Sequence, residues 1–190
     1  MQRINMRIIS GIHGGRKIKP PAKMPHTRPT TDIAKEGLFN ILNNRMSFEA
    51  IKTLDLFGGT GCISYELASR GATDLTIVEK DAIMSQFIQQ NMDMLQVGGA
   101  RVLRLDVFQF IESCTDKFDF IFAGPPYALG TIDELPRKIV GGGLIAPDGY
   151  FVLEHTPRNN YEGFEGFEMQ RNYGTTVFSF FRSGKSPDTV

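Results

Sequence analysis

Cysteine is scarce in this chain: Cys62 and Cys114 are the only two in 190 residues. Two cysteines cannot build the disulfide framework of a small secreted domain, and neither belongs to a cluster with metal-ligand spacing. Histidine is nearly as rare. His13 and His26 stand in loop-like stretches with no partners at metal spacing, so they read as exposed loop residues and no metal is expected. No apolar run approaches the roughly 20 residues that span a bilayer. The opening Met1-Gln2-Arg3-Ile4-Asn5-Met6 has no hydrophobic signal-peptide region. Together these absences lead us to expect a reducing, cytoplasmic location and no membrane partner. There is no internal repeat and no low-complexity tract. A hydrophobic content of 41% suits one domain with a proper core and a small appendage.

Net charge is also absent, but unevenly. From Met1 to Arg45 there are nine basic residues (Arg3, Arg7, Arg16, Lys17, Lys19, Lys23, Arg28, Lys35, Arg45) against Asp32 and Glu36. That segment carries +7 and leaves −7 for the remainder. A basic segment on an acidic body is the electrostatic footprint of a nucleic-acid contact. A solvated basic face with no partner accounts for the same count.

Met6-Arg7-Ile8-Ile9-Ser10 and Arg16-Lys17-Ile18-Lys19 flank a Gly-rich turn from Gly11 to Gly15, which predicts a β-hairpin with basic residues on both arms. Pro20 to Pro25 is an extended linker. Arg28-Pro29-Thr30-Thr31-Asp32 opens a helix to about Asn44, with Thr and Asp as N-caps and Ile33, Leu38, Ile41 and Leu42 at helical spacing. An anion facing Arg28 and the free N–H groups is one reading. A capped amphipathic helix is the other, and spacing favours it.

Thr53-Leu54-Asp55-Leu56-Phe57, Gly58-Gly59-Thr60-Gly61 and an apolar run to Arg70 read as strand, Gly-rich turn and helix. Glycines there let backbone approach a ligand, and the helix N-terminus carries partial positive charge. The turn lacks the third glycine of the dinucleotide fingerprint, since Ser64 stands there, and lacks the Gly-Lys-Ser/Thr of a P-loop. Both absences weigh against NAD and nucleoside triphosphates. Asp55 before the turn suits a ligand bearing a cation or amine instead. Leu75 to Glu79 is the next strand, followed by a helix from Ala82 to Gln96 with Ile83, Phe87, Met94 and Leu95 among its expected core residues. Arg101 to Asp106 is a third strand, and Val107 to Ser113 starts another helix. Asp55, Glu79 and Asp106 therefore lie at or near three successive strand ends. Each alone reads as a loop acid or helix cap; three on one edge are less ordinary, because ligands of open α/β sheets bind there.

The fourth strand, Phe118-Asp119-Phe120-Ile121-Phe122-Ala123, ends in Gly124-Pro125-Pro126-Tyr127. Consecutive prolines lack the N–H groups a sheet needs, so the chain leaves the sheet at Gly124 and presents Tyr127 beyond the strand's carboxyl end. A helix from Ile132 to Val140, a turn from Leu144 to Gly149 and a strand from Tyr150 to Glu154 follow. Glu168 to Tyr173 and Thr175 to Phe181 predict an antiparallel hairpin at the sheet's edge, with residues from Ser183 loose.

This order of elements resembles the class I S-adenosylmethionine (SAM)-dependent methyltransferases: an α/β, Rossmann-like fold with a mostly parallel sheet, an antiparallel C-terminal strand pair and, here, a small N-terminal β-hairpin. Asp55 to Gly61 is similar to that family's Asp-x-Phe-x-Gly-x-Gly motif. Gly124-Pro125-Pro126-Tyr127 resembles the Asp/Asn-Pro-Pro-Tyr/Phe signature of enzymes that methylate exocyclic amines of bases. Met6 to Gly11 with Gly14 to Lys17, then Arg28 to Asp32 with Glu36 and Leu38-Phe39-Asn40, narrows the resemblance to the RsmD family, bacterial 16S rRNA guanine-N2 methyltransferases.

The resemblance implies a hairpin and linker over residues 1–27 and a methyltransferase domain over 28–190. It implies SAM as cofactor, held by Thr31, Asp55, Phe57, Gly59, Gly61, Glu79 at the ribose, and Asp106 with Val107 beside the adenine. It implies 16S rRNA, in an assembling small subunit, as partner of a monomer, with Arg7, Arg16, Lys17 and Arg28 as phosphate contacts. In the family's motif an acidic or amide side chain and a proline carbonyl accept the amine's hydrogens while the aromatic ring stacks on the splayed base. Gly124 through Tyr127 (Gly124, Pro125, Pro126, Tyr127) are the corresponding catalytic residues. Gly124 departs from the family, which has Asp or Asn there. Three explanations stand side by side: a weakened enzyme compensated by the Pro125 carbonyl or water, a protein that binds SAM or RNA without turnover, or a point variant of an active enzyme. A DNA amine methyltransferase shares the Pro-Pro-Tyr logic, and a nucleotide-dependent oxidoreductase is disfavoured by the missing glycine.

Overall fold

Alternation along the strands decides how this chain folds. Leu54, Leu56, Ile121, Ala123, Phe151 and Leu153 pack into one core layer, while their neighbours Phe120, Phe122, Tyr150 and Val152 pack into another. Successive strand residues point to opposite faces, so both faces of the sheet must be covered. The computed structural model describes residues 6–22, 24 and 30–183. Arg28, His26, Lys23 and the tail from 184 lie outside the described residues.

The elements are β1 (Met6–Arg7), β2 (Lys17–Ile18), α1 (Asp32–Asn43), β3 (Lys52–Leu56), α2 (Cys62–Ser69), β4 (Asp74–Val78), α3 (Ala82–Met94), β5 (Ala100–Leu103), α4 (Val107–Ser113), β6 (Phe118–Ala123), α5 (Glu134–Gly141), β7 (Ile145–His155), β8 (Phe167–Tyr173) and β9 (Thr176–Phe181). Seven strands form one sheet in the order β5-β4-β3-β6-β7-β9-β8. β3 through β7 are parallel, with Leu56 beside both Val78 and Ala123, and Ala123 beside Leu153. β9 runs antiparallel between β7 and β8. Residues of α4 and α5 share the first core layer, and those of α1 and α2 the second. The expected Rossmann-like sheet with an antiparallel C-terminal pair is therefore the observed one.

Several details differ from expectation, among them β5, which ends at Leu103 and leaves Asp106 beyond the strand as the N-cap of α4. The fifth parallel strand is longer: Ile145 already pairs with Phe118, and the predicted turn is a register shift within β7, with Asp148 at φ 62°. In α3, Met84, Ile88 and Met92 face the core, whereas Ile83 and Met94 are each 57% exposed. Ile33 of α1 is also exposed, its place taken by Ala34 and Lys35.

The hairpin β1–β2 pairs Met6 with Ile18 and buries Met6, Ile8 and Ile18 against Tyr65, Ile77 and the inner face of α3. Glu66, fully buried in α2, fastens it by accepting the N–H groups of Ile9 (2.9 Å) and Ser10 (3.1 Å). Lys35 reaches from α1 to the Arg7 carbonyl at 2.5 Å and lies 3.6 Å from Glu66. His13, half-buried rather than exposed, donates its N–H to the Ser69 hydroxyl.

Candidate active site

Parallel strands leave their carboxyl ends on one edge, and the crevice there is where such sheets hold ligands. Five chain segments meet at this edge: the turn after β3, the ends of β4 and β5, the Pro-Pro loop after β6, and the end of β7.

The turn after β3 is built from left-handed backbone. Phe57, Gly59 and Gly61 have φ of 62°, 55° and 78°. Phe57 is a bulky residue in a region that non-glycine residues rarely enter. At Gly61 a side chain is excluded twice over, by its φ and because a Cβ would lie 2.6 Å from the Tyr65 ring. At Gly58 a Cβ would lie 2.7 Å from Ile77. Gly61 is the N-cap of α2 and makes no side-chain cap bond, so the helix's first N–H groups face the edge unshielded by a capping side chain.

Beneath this turn Asp55 is 3% exposed and accepts the Ser64 hydroxyl at 2.5 Å. Burial pushes its carboxyl up to about 7; the Ser64 bond opposes that shift, and the nearby charges of Glu79 and Glu154 add to it. Ser64, which occupies the place of the missing third glycine, is thus the partner of the buried acid. Glu79, at the end of β4, accepts the Gly59 N–H through Oε2 and the Asp81 N–H through Oε1, each at 2.8 Å. Asp106 caps α4, accepting the N–H groups of Phe108 (2.9 Å) and Gln109 (3.4 Å). The Val107 side chain is buried in the core, so its backbone is what faces a ligand.

Among the described residues neither Asp55 nor Glu79 has an ion-pair partner. A cradle of carboxylates under a bare glycine turn is hostile to a pyrophosphate and suited to a ligand with positive charge and hydroxyl donors. SAM, with a sulfonium, an ammonium and two ribose hydroxyls, fits that donor set. No group of His, Cys, Asp and Glu able to hold a metal is found among the described residues.

The loop after β6 supplies the other wall. The Gly124 N–H still reaches the Leu56 carbonyl at 3.3 Å, then Pro125 and Pro126 end the ladder. Pro125 is buried, the Pro126 carbonyl accepts the Leu129 N–H, and Tyr127 is 43% exposed. A Cβ on Gly124 would lie 3.1 Å from the Phe122 ring, which would have to yield slightly, and 3.8 Å from Glu154 Oε2.

Glu154, which sequence reasoning treats only as the last residue of a strand, is 6% exposed and accepts the Thr30 hydroxyl at 2.6 Å. A fourth acid at a strand end is the signal that finds it. Thr31, expected at the cofactor, uses its hydroxyl to cap α1 through the Ala34 N–H at 3.3 Å. Of the expected RNA contacts, Arg16 and Lys17 are exposed on the hairpin. Arg7 is exposed but paired with Asp32 at 3.1 Å. Lys35 and Arg45, both counted in the basic segment, already have partners: Lys35 is buried beside Glu66, and Arg45, at the surface, is bonded to Glu168, the Tyr150 hydroxyl and the Met169 sulfur. Among the described residues, no helix is long and apolar enough to cross a membrane.

The family described as Conserved hypothetical protein 95 matches residues 6–182. Ribosomal RNA small subunit methyltransferase D of Escherichia coli K12 is 32% identical over 154 residues, spanning 81% of this chain and 76% of that protein. Among solved structures, the Escherichia coli protein yhhF superposes with a TM-score of 0.81 at 27% identity, covering 95% of this chain and 99% of its own. A Thermus thermophilus 16S rRNA N2 G1207 methyltransferase, in complex with AdoMet and guanosine, has the same fold at a TM-score of 0.69 and 22% identity, covering 96% of this chain and 50% of its own.

Proposed function

This chain belongs to the Conserved hypothetical protein 95 family, the RsmD family of class I methyltransferases, and from that premise we propose that it methylates the exocyclic N2 amine of a guanine in 16S rRNA of an assembling small ribosomal subunit. The observation that carries this reading is the Pro125-Pro126-Tyr127 loop at the end of β6, standing beside the glycine turn and carboxylates at the end of β3 and β4.

The cofactor is SAM, which when bound would supply a methyl carbon activated by its sulfonium; the amine that takes this methyl group must shed one proton. In this reading the Glu79 carboxylate holds the ribose hydroxyls, Asp106 and the Val107 backbone lie beside the adenine, and Gly59 and Gly61 admit close backbone approach. Asp55 offsets the cofactor's positive charge, while Phe57 and Thr31 shape the rim. An arylamine lone pair is delocalised into its ring, so the protein's work is to orient that amine and exclude competing poses. The buried Pro125 carbonyl accepts one amine hydrogen, and Tyr127, exposed at the loop tip, stacks on the splayed base. Arg16, Lys17, Arg7 and Arg28 contact phosphates and set register without reading sequence. The protein acts as a monomer, with residues 1–27 as an RNA-binding hairpin and linker on a methyltransferase domain.

Methyl transfer from labelled SAM to small-subunit particles or RNA lacking the modification tests the proposal. Incorporation into 16S rRNA is the expected result; none by this chain or by Gly124→Asp would sink it. The bare Gly124 favours one second reading, a protein that binds SAM and RNA without turnover. That reading expects calorimetric SAM binding with no incorporation.

A further inference from the structure

β6 and β7 are parallel neighbours in the register Ala123 with Leu153, so the next residues, Gly124 and Glu154, stand side by side, Gly124 leaving the sheet while Glu154 is still paired with Phe178 of β9. Glu154 Oε2 lies 3.8 Å from where a Gly124 Cβ would be. The space into which an acid at 124 would extend is thus bordered by a carboxylate from the adjacent strand. That carboxylate is held: Thr30, just before α1, donates its hydroxyl to Oε2 at 2.6 Å, and the residue is 6% exposed.

Resting on the methyltransferase reading above, we propose that Glu154 is a catalytic residue that replaces the side chain missing at position 124. Its carboxylate accepts a hydrogen of the target amine opposite the Pro125 carbonyl, and Thr30 is the positioning residue that aims it. A carboxylate accepts up to about four hydrogen bonds, so an amine bond can add to those Glu154 already takes part in, the Thr30 bond among them. As the nitrogen gains the methyl carbon, the proton it sheds leaves along the N–H···Oε bond to Glu154 and from there to water. The acceptor has moved from one strand end to the next, with its charge retained.

The test is a set of kcat, KM and SAM-affinity measurements on five full-length proteins: this chain, Gly124→Asp, Glu154→Ala, Glu154→Ala with Gly124→Asp, and Thr30→Val. Removing one well-placed polar partner from a reacting site lowers kcat by about 10²-fold, so that fall is expected of Glu154→Ala, with SAM affinity preserved. Adding Gly124→Asp to it returns a carboxylate to the other side of the same space and is expected to recover kcat by about tenfold or more. Thr30→Val leaves the carboxylate but releases its aim, and lowers kcat with little change in KM; it decides the matter if Glu154→Ala does not fold. Glu154→Ala turning over like its parent overturns the proposal. So does a loss that Gly124→Asp fails to recover in a folded, SAM-binding protein, since a merely structural role would behave that way. Activity confined to Gly124→Asp in the parent chain would likewise reject Glu154 as the substitute while leaving the methyltransferase reading in place. Inactivity of every protein, Gly124→Asp included, would reject that reading instead.

Discussion

Asp55 combines burial with the neighbouring charges of Glu79 and Glu154, and its carboxyl is pushed from an ordinary 3.8 to about 7. Between those values the folded chain keeps a proton that the unfolded chain has lost, so stability declines as pH rises from about 4 to about 7 and then levels off. Asp55→Asn is therefore expected to melt higher than its parent at pH about 8, with no gain below pH about 4. A positively charged ligand reverses the preference and favours the carboxylate. SAM binding is accordingly expected to tighten as pH rises through about 7 and to release protons below it. Calorimetry in buffers of different ionisation heat measures that release; pH-independent affinity without proton release would remove Asp55 from the site. Gly61 makes a second prediction at this scale. With φ at 78° and the Tyr65 ring 2.6 Å from a would-be Cβ, Gly61→Ala should lose at least about 1–2 kcal/mol from backbone conformation alone, together with SAM affinity. Denaturant unfolding and calorimetry read the two effects separately.

One buried side chain gathers many of the polar bonds that seat the hairpin. Glu66 accepts two hairpin N–H groups, bonds Arg70 at 2.9 Å and lies 3.6 Å from the 2%-exposed Lys35. Removing one partner from such a buried arrangement strands the others, so Glu66→Ala is expected to cost about 3–5 kcal/mol and to speed exchange of the Ile9 and Ser10 amides. Normal stability with protected amides would show that apolar packing and the Ser69 bonds hold the hairpin without Glu66. Arg16 and Lys17 are exposed on it, and replacing both with Ala should weaken RNA binding across sequences. The salt slope of binding should fall by about 1 for each phosphate left without its cation, with SAM affinity unchanged. The sequence revealed the hairpin, through its Gly-rich turn, and the basic charge. It did not show that Lys35 is buried and Arg45 is paired at the surface, because their partners Glu66 and Glu168 come from distant segments. In α3 the stripe Met84, Ile88, Met92 was present in the sequence. Ile83 and Met94 are equally apolar, and only packing against the hairpin and β4 separates the two faces.

At the scale of the whole molecule, the sheet order brings together residues spread from Thr30 to Glu154 on one edge. The strands, their order of appearance and the acids at three of their ends were legible, because each parallel strand is a continuous apolar run closed by a polar turn. What stayed hidden was lateral: which strand ends become neighbours depends on crossovers, and so the adjacency of Gly124 and Glu154 appears only once β7 is seated beside β6. The gap that Gly124 leaves in the motif looks different with that neighbour in view. A missing carboxylate in the sequence is, in the fold, a site with a carboxylate already at its border. The most direct measurement is nucleoside mass spectrometry of 16S rRNA after small-subunit particles lacking the modification are incubated with this protein and SAM. N2-methylguanosine is expected to appear at a single position in 16S rRNA. Particles that remain unmethylated, or that gain a methyl group on any atom other than an exocyclic guanine amine, would contradict the proposed function.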